Sequence, residues 1–351
     1  MSAPAVEFRA VSKRYGKVVA VDEVSFSIAR ATLVTLLGPS GCGKTSTLRL
    51  IAGLEQPSDG RILIGGADVT ELSAAERDVS MVFQSYALFP HMTVLENVCY
   101  GLRAGGMGRA RAREQAAAKL ALVGLAGYEH RLPSELSGGQ QQRVAVARAI
   151  VLEPQVLLFD EPLSNLDAKL RRRVREEIRG LQQDLSLTVV YVTHDQEEAL
   201  AVSDRIIVMN TARIAQDGTP RSLYERPNSH FVADFIGDAN LLPVVIERHD
   251  GEQALVRIGA AVISLAHHGL PPGPAELAIR PRAVRLGAEA GGLCGRIAKA
   301  AYLGDHMEYQ VDVDGLGKEL FVIDANVMAP LNLGARVGIV LDAAGAVLVP
   351  P

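Results

Sequence analysis

The chain has 351 residues, with 36 Lys and Arg against 40 Asp and Glu, a formal net charge of −4. That length suggests two or three domains with true cores, and 48% hydrophobic with 22% charged residues excludes wholesale disorder. No apolar run approaches the ~18 residues of a membrane-spanning helix, Met1–Arg14 lacks the apolar core of a secretory signal, and three cysteines (Cys42, Cys99, Cys294) cannot make a secreted disulfide framework. The expectation is a cytoplasmic chain, and its near-neutral charge speaks against nucleic acid as the main partner.

Short strands are predicted over Val6–Arg9, Val18–Asp22 and Val24–Ile28, followed by a continuous apolar run, Thr32–Leu37, closed by Gly38 and Pro39 as a buried strand would be. Thr45–Ala52 reads as a helix ending at Gly53. Thr93–Ile150 is rich in Ala and Arg, lacks strand patterns and has a glycine-rich hinge at 105–108, so a helical insertion is expected over about 85–150. Val156–Phe159 and Thr188–Val192 are further buried strands. Between them Leu170, Val174, Ile178, Leu181 and Leu185 form the apolar stripe of one helix. Strand, helix, strand implies an α/β fold with a parallel sheet. Past about residue 237 the pattern becomes short alternating segments (Leu242–Arg248, Ala254–Ile258, Ala261–Ala266, Glu276–Ile279, Gly295–Tyr302, Glu308–Val313, Glu319–Ile323, Val337–Leu341), which indicates a small all-β barrel or sandwich. This stretch, 238–351, holds 9 Lys and Arg against 13 Asp and Glu and so carries the whole net charge. Two domains of different class are expected, 1–237 and 238–351.

Gly38-Pro39-Ser40-Gly41-Cys42-Gly43-Lys44-Thr45, followed by Ser46, places two glycines with four residues between them before Lys-Thr, between a predicted strand and a predicted helix. Backbone N–H groups of such a loop and the helix N-terminus face phosphate oxygens, Lys44 neutralises the outer phosphates, and the Thr45 hydroxyl can ligate Mg²⁺. Asp160 and Glu161 end the apolar strand Val156–Phe159. Free carboxylates belong at its carboxyl edge, where Asp160 would hold Mg²⁺ and Glu161 would orient and deprotonate an attacking water. Cys42, beside Lys44 and a helix N-terminus, is expected to have a lowered pKa but no base partner. His267-His268 lacks metal-ligand spacing, and the Arg103–Arg113 run reads as a solvated helix face.

Leu136-Ser137-Gly138-Gly139-Gln140 resembles the signature sequence of ABC-type ATPases, and Ser137 with the two glycine amides makes a second helix-start anion site. The resemblance implies a head-to-tail homodimer with each ATP between the Lys44 loop of one subunit and the signature of the other. It implies further that Gln84 senses Mg²⁺ and the γ-phosphate, that Ser164-Asn165-Leu166-Asp167 crosses the dimer seam, that His194 contacts the γ-phosphate and the catalytic carboxylate, and that Tyr15 stacks on adenine. One cassette without a heptad stretch argues against the soluble ABC proteins of repair or translation. A phosphate-loop kinase would leave the signature and His194 without a role.

The aromatic segment 84–92 (Gln-Ser-Tyr-Ala-Leu-Phe-Pro-His-Met) resembles the groove of ABC importers that receives a cytoplasmic helix of the transmembrane permease, with Tyr86, Leu88 and Phe89 facing that partner. A buried mini-core is the alternative. Phe231–Gly237, the β-rich tail and Ala278-Ile279-Arg280-Pro281 resemble importer ATPases with a C-terminal oligonucleotide-binding-like (TOBE) regulatory domain. That family serves maltose, polyamines, sulfate, phosphonates and ferric iron. Similarity over Glu76–Ile236 favours ferric iron, with polyamine or phosphonate import as alternatives. The resemblance then implies a peripheral subunit on the cytoplasmic face of the cell membrane, working with a solute-binding protein. Arg282 departs from the Glu usual after Arg-Pro.

Overall fold

The computed structural model describes residues 3–259, 261–289 and 292–351. Two compact units divide it, Met1–Pro220 and Arg221–Pro351. The first contains, in chain order, β1 (Val6–Tyr15), β2 (Val18–Ile28), β3 (Leu33–Leu37), α1 (Lys44–Ala52), β4 (Asp59–Ile64), β5 (Ala67–Asp68), β6 (Val79–Val82), α2 (Val94–Ala104), α3 (Arg109–Leu122), α4 (Gly138–Ile150), β7 (Val156–Asp160), α5 (Ala168–Asp184), β8 (Val189–Thr193), α6 (Gln196–Val202), β9 (Arg205–Asn210) and β10 (Arg213–Gly218).

A six-stranded sheet runs in the order β10-β9-β3-β8-β7-β6, parallel throughout except for β10 against β9. Every residue of β3 and β8 is buried, because helices and a second sheet cover both faces. This is why their sequences are continuous apolar runs rather than alternations. The parallel register brings the carboxyl ends of β3, β6, β7 and β8 to one edge, and the candidate residues after those strands follow from there. The second sheet, β2-β1-β4-β5, is antiparallel and packs Phe8 on Phe26 at a centroid distance of 4.6 Å. The expected break between Val18–Asp22 and Val24–Ile28 is a bulge inside one strand: Glu23 has φ 49°, and the pairing with β1 shifts register there.

Helices α2, α3 and α4 share their own apolar cluster, including Val98, Leu102, Ala116, Leu120 and Ala147. The start of α2 is fixed by a capping box in which the Glu96 carboxylate accepts from Thr93 N–H at 2.9 Å.

The second unit opens with two six-residue helices, α7 (Pro220–Glu225, which begins at the boundary) and α8 (His230–Phe235). Strands β11 (Asn240–Asp250), β12 (Gln253–Ile258), β13 (Ala261–Ala266), β14 (Gly273–Ile279), β15 (Val284–Gly287), β16 (Leu293–Tyr302), β17 (Met307–Val313), β18 (Glu319–Asp324), β19 (Arg336–Leu341) and β20 (Ala346–Val349) follow. They form two five-stranded antiparallel sheets, β13-β12-β11-β14-β20 and β15-β19-β16-β17-β18, around one apolar core. The unit begins at Arg221, ahead of the division expected at 237. The reason is Arg280. Its buried guanidinium donates to the carbonyls of Tyr224 (2.5 Å), Ala233 (2.9 Å) and Ile236 and lies 4.2 Å from the Tyr224 ring centroid, so the last turns of both short helices are tied to the end of β14.

Candidate active site

The loop between β3 and α1 takes its shape from glycine. Gly43, with φ 105°, leads into α1 with no side-chain cap, and a Cβ there would collide with the Ala20 carbonyl. A Cβ at Gly38 would strike the Met209 carbonyl and come within 2.7 Å of Cys42 Sγ. Lys44 is only 5% exposed, and its Nζ donates to the carbonyls of Gly38 (2.7 Å) and Pro39 (2.9 Å), so its charge lies inside the loop. Ser40 and Gly41 are exposed at the tip, while Thr45 and Ser46 are half-buried in the first turn of α1.

Cys42 overturns an expectation. Burial pushes its thiol above the ordinary range, and Lys44, whose Nζ is 3.9 Å from the sulfur, only partly opposes this. Desolvation outweighs the neighbouring cation because the sulfur is enclosed.

Asp160 ends β7 half-buried. Burial raises its carboxyl above the usual range, Arg49 opposes this, and the adjacent Glu161 charge adds to it. Glu161 stands in the left-handed region at φ 44° with its N–H on the Val192 carbonyl (3.1 Å), an uncommon backbone for a non-glycine residue. That turn aims its carboxylate at His194, whose Nδ1 lies 3.2 Å from Glu161 Oε2. Gln84 Nε2 donates to Ser164 Oγ (3.1 Å), Asn165 Nδ2 donates to the Gln84 carbonyl (3.1 Å), and Ser164 Oγ donates to the Glu161 carbonyl (3.0 Å). The structure thus brings Gln84, Glu161, Ser164 and His194 together from the ends of three parallel strands. Glu161, Ser164 and His194 line a cavity of about 60 Å³, room for a water.

Ser137 caps α4. Its Oγ accepts from Gln140 N–H (3.4 Å), and its N–H donates to Gln140 Oε1 (2.9 Å). Cβ atoms on Gly138 and Gly139 would lie 3.3 and 3.1 Å from Leu166 and Leu170, so small residues there let α4 start against the beginning of α5. Asp167 caps α5, accepting from Leu170 N–H at 2.9 Å. Tyr15, 45% exposed, ends β1 with Lys13 Nζ 4.9 Å from its ring centroid. Among the described residues no hydrogen bond, ion pair or ring contact joins Tyr15 or the Ser137–Gln140 turn to the Lys44 loop within one chain.

Residues 21–164 match the family model of the ABC transporter, and residues 277–349 match that of the TOBE domain. The chain is 62% identical over 320 residues to the Fe(3+) ions import ATP-binding protein FbpC of Rhizobium etli, covering 91% of this chain and 90% of that protein. It is 59% identical over 345 residues to the protein of the same name from Brucella abortus, covering 98% and 97%. The chain belongs to the ABC transporter ATP-binding proteins. Among solved structures it resembles the dimeric post-hydrolysis ATP-binding cassette MJ0796 bound to ADP and Pi (TM-score 0.55, 32% identity, 62% of this chain and 99% of that one) and cbiO1 of Clostridium perfringens, part of a cbiONQ transporter complex (TM-score 0.60, 25% identity, 64% and 92%). The fold is therefore an α/β ABC ATPase unit followed by an all-β TOBE unit, and the protein is an ATPase that binds ATP. Among the described residues no helix is long and apolar enough to cross a membrane.

Outside the loop between β3 and α1, this ABC ATP-binding protein departs from the sequence reading over 84–92. Tyr86 is 5% exposed, has φ 61° and packs in the core with Phe159 and Tyr191, so it cannot face a partner. Leu88 also packs inward, between the sheet core and the helical cluster. The left-handed turn at Tyr86 and Ala87 reverses which side chains point in. Phe89 is half-buried, 4.7 Å from Tyr100 by ring centroids, and lines a groove of about 450 Å³ whose other walls include Phe83, Arg148 and Leu152. Two residues that build this segment escaped sequence reasoning. Asn97, fully buried, accepts from Phe89 N–H (2.8 Å) and donates to the carbonyls of Phe89 (3.1 Å), Met92 (3.1 Å) and Thr93 (3.0 Å). Arg148 donates to the carbonyls of Ala87 (2.7 Å) and Tyr86 (2.9 Å). The available signal was a polar residue on the apolar face of a predicted helix, between Val94 and Val98 in one case and Ala147 and Ala149 in the other.

Proposed function

We propose that this chain is the ATP-hydrolysing energy-coupling subunit of a ferric-iron importer, acting as a head-to-tail homodimer beneath two permease subunits on the cytoplasmic face of the membrane, with a separate solute-binding protein delivering the iron. The observation that carries the hydrolytic reading is the Glu161–His194 pair at 3.2 Å, held by a strained turn at the carboxyl edge of the parallel sheet beside the Lys44 loop. The ferric-iron assignment is supported by the names of the Rhizobium and Brucella relatives and of a 49% identical relative from Photorhabdus laumondii.

In this reading the loop 38–46 cradles the phosphates with its backbone N–H groups, Pro39 having none to offer, the Lys44 ammonium neutralises them, and Tyr15 stacks on the adenine. Ser137, Gly138, Gly139, Gln140 and Asp167 present the second helix-start site to the nucleotide of the other subunit. Thr45, Gln84 and Asp160 would hold Mg²⁺. The donor set fits, being all oxygen, and the desolvated Asp160 carboxylate gains from a cation. When bound, Mg²⁺ neutralises charge developing on the phosphates. Glu161 accepts the proton of the attacking water, and His194 orients Glu161 and the γ-phosphate. The TOBE unit regulates or stabilises the dimer, and the groove around Phe89 receives the permease.

Glu161→Gln keeps shape and hydrogen bonding but cannot take the proton. It should bind Mg-ATP normally, hydrolyse it at least ~100-fold more slowly and accumulate as an ATP-bound dimer on a sizing column. Lys44→Ala should lose affinity and remain monomeric with ATP. Hydrolysis by Glu161→Gln at the parent rate would remove Glu161 as the base. For the cargo, cells lacking this chain should lose uptake of radiolabelled ferric iron and keep that of spermidine; the reverse result assigns the system to polyamines.

A further inference from the structure

Behind the Glu161–His194 pair lies a second set of charged residues that the hydrolytic reading does not use. Arg171 sits one turn into α5, its own N–H on the Asp167 carbonyl at 2.8 Å. Its guanidinium faces two ways. Nη2 donates to the Leu166 carbonyl (3.1 Å), in the segment 164–167, while Nη1 donates to Asp195 Oδ2 (3.4 Å) and Nε lies 3.8 Å from Glu198 Oε1. Glu198 is 5% exposed by its side chain, and its Oε2 accepts from the hydroxyls of Thr193 (2.7 Å) and Tyr191 (3.2 Å). Thr193 Oγ1 in turn accepts from Asp195 N–H (3.0 Å), and Asp195 Oδ1 accepts from Glu198 N–H (3.1 Å). The residues on either side of His194 are therefore both pinned, and every pin leads to Glu198 or Arg171.

A buried carboxylate beside a buried guanidinium nitrogen that lacks any hydrogen-bond partner is costly if stability is its only purpose. Apolar residues could fill the same space between α5 and α6 at no such cost. Glu198 and Arg171 also line the same small cavity as Glu161, Ser164 and His194.

We propose that Arg171 and Glu198 are positioning residues that set His194 against Glu161, and that Arg171 makes the placement of His194 depend on the segment 164–167. The proposal rests on the reading of Glu161 and His194 as the hydrolytic pair. Neither new residue touches reacting atoms; both act through the turn Thr193–Asp195. A shift of Leu166 drags the guanidinium, and with it Asp195 and the ring between.

The test uses the full chain and two variants, Arg171→Gln and Glu198→Gln. The second is nearly isosteric and keeps acceptors for Thr193 and Tyr191, so it serves if the first does not fold. Steady-state hydrolysis should show kcat lowered about tenfold to 100-fold with KM for Mg-ATP within about threefold, the pattern of a misplaced group rather than lost ground-state binding. The ¹³Cε1 resonance of His194, assigned by its disappearance in His194→Ala, should shift or broaden at fixed pH while Glu198→Gln still unfolds in one cooperative thermal transition at a temperature no lower than the parent's. In a His194→Ala background, Arg171→Gln should change the residual rate by less than about twofold, because its route to the chemistry is gone. Parent-like kcat and an unmoved His194 resonance in both variants would overturn the proposal, as would an equal loss with and without His194. Failure of the underlying reading looks different: His194→Ala and Glu161→Gln would themselves hydrolyse ATP at the parent rate.

Discussion

Asn97→Ala is the substitution whose effect follows most directly from the hydrogen bonds. Four bonds are lost, but two of the backbone groups keep a partner. The Phe89 carbonyl still accepts from Met92 N–H at 3.2 Å, and the Thr93 carbonyl still accepts from the backbone N–H of residue 97 at 2.9 Å. The Phe89 N–H and the Met92 carbonyl lose the partners that the side chain supplied. Each orphaned, half-buried group costs about 1–1.5 kcal/mol, so the segment is destabilised by about 2–3 kcal/mol. At 1.4 kcal/mol per tenfold, the Phe89 amide should exchange about 30- to 150-fold faster. Asn97→Asp should be worse than Ala, because it turns a charge toward three carbonyls. Urea unfolding measures the global cost, and native-state hydrogen exchange over 84–100 measures the local one. A loss below about 0.5 kcal/mol with Phe89 exchange unchanged would mean that the packing of Tyr86 and Leu88 holds the segment alone.

Arg280→Ala should cost the second unit about 3–5 kcal/mol and open 221–237 to proteolysis, and Arg280→Lys should recover little because one ammonium cannot reach three carbonyls as a planar fork does. Proteolytic resistance equal to the parent's would count against this. Burial raises the Glu198 carboxyl above its ordinary value, against the opposing bonds from Thr193 and Tyr191. An acid raised in this way contributes stability that is complete below the unfolded value of about 4.3 and is lost as pH rises through the folded one. Glu198→Gln does not titrate, so its melting temperature should gain on the parent's as pH rises from about 4; a gap moving the other way would contradict the burial argument. Tyr100→Asp or Leu152→Asp should abolish coupled transport while leaving ATP affinity within about twofold, since both side chains are half-exposed in the groove; normal transport by both would remove that surface from the permease interface.

The shape of the loop between β3 and α1 was legible because it lies in fixed spacing: Gly38 and Gly43 stand where a Cβ collides, and a lysine follows one residue later. The strands of the parallel sheet were legible because burial on both faces leaves an unbroken apolar run. Tyr86 was not, since a loop has no periodicity to say which side is inward, and a left-handed pair of residues inverts any guess. Cys42 was misread because sequence reveals a neighbouring cation but not the enclosure that desolvates the sulfur. Strands β15 and β20, four residues each, are too short for alternation to register. Asn97, Arg148, Arg171 and Glu198 share one difficulty. Their roles consist of bonds to backbone or to side chains on other elements, and a helix face that tolerates one polar residue gives no sign of what it holds.

Arg280 also decides where this chain can be cut and rejoined. Six-residue helices have no stability of their own, and α7 and α8 keep their shape because a residue more than forty positions later holds their last carbonyls. A graft of the C-terminal unit onto another ATPase at residue 237 would leave behind the helices that Arg280 was built to grip and bury an arginine with nothing to bond. The heritable module, the piece that recombination could move intact, starts at Arg221, and the helices nearest the ATPase in sequence travel with the β-sheets.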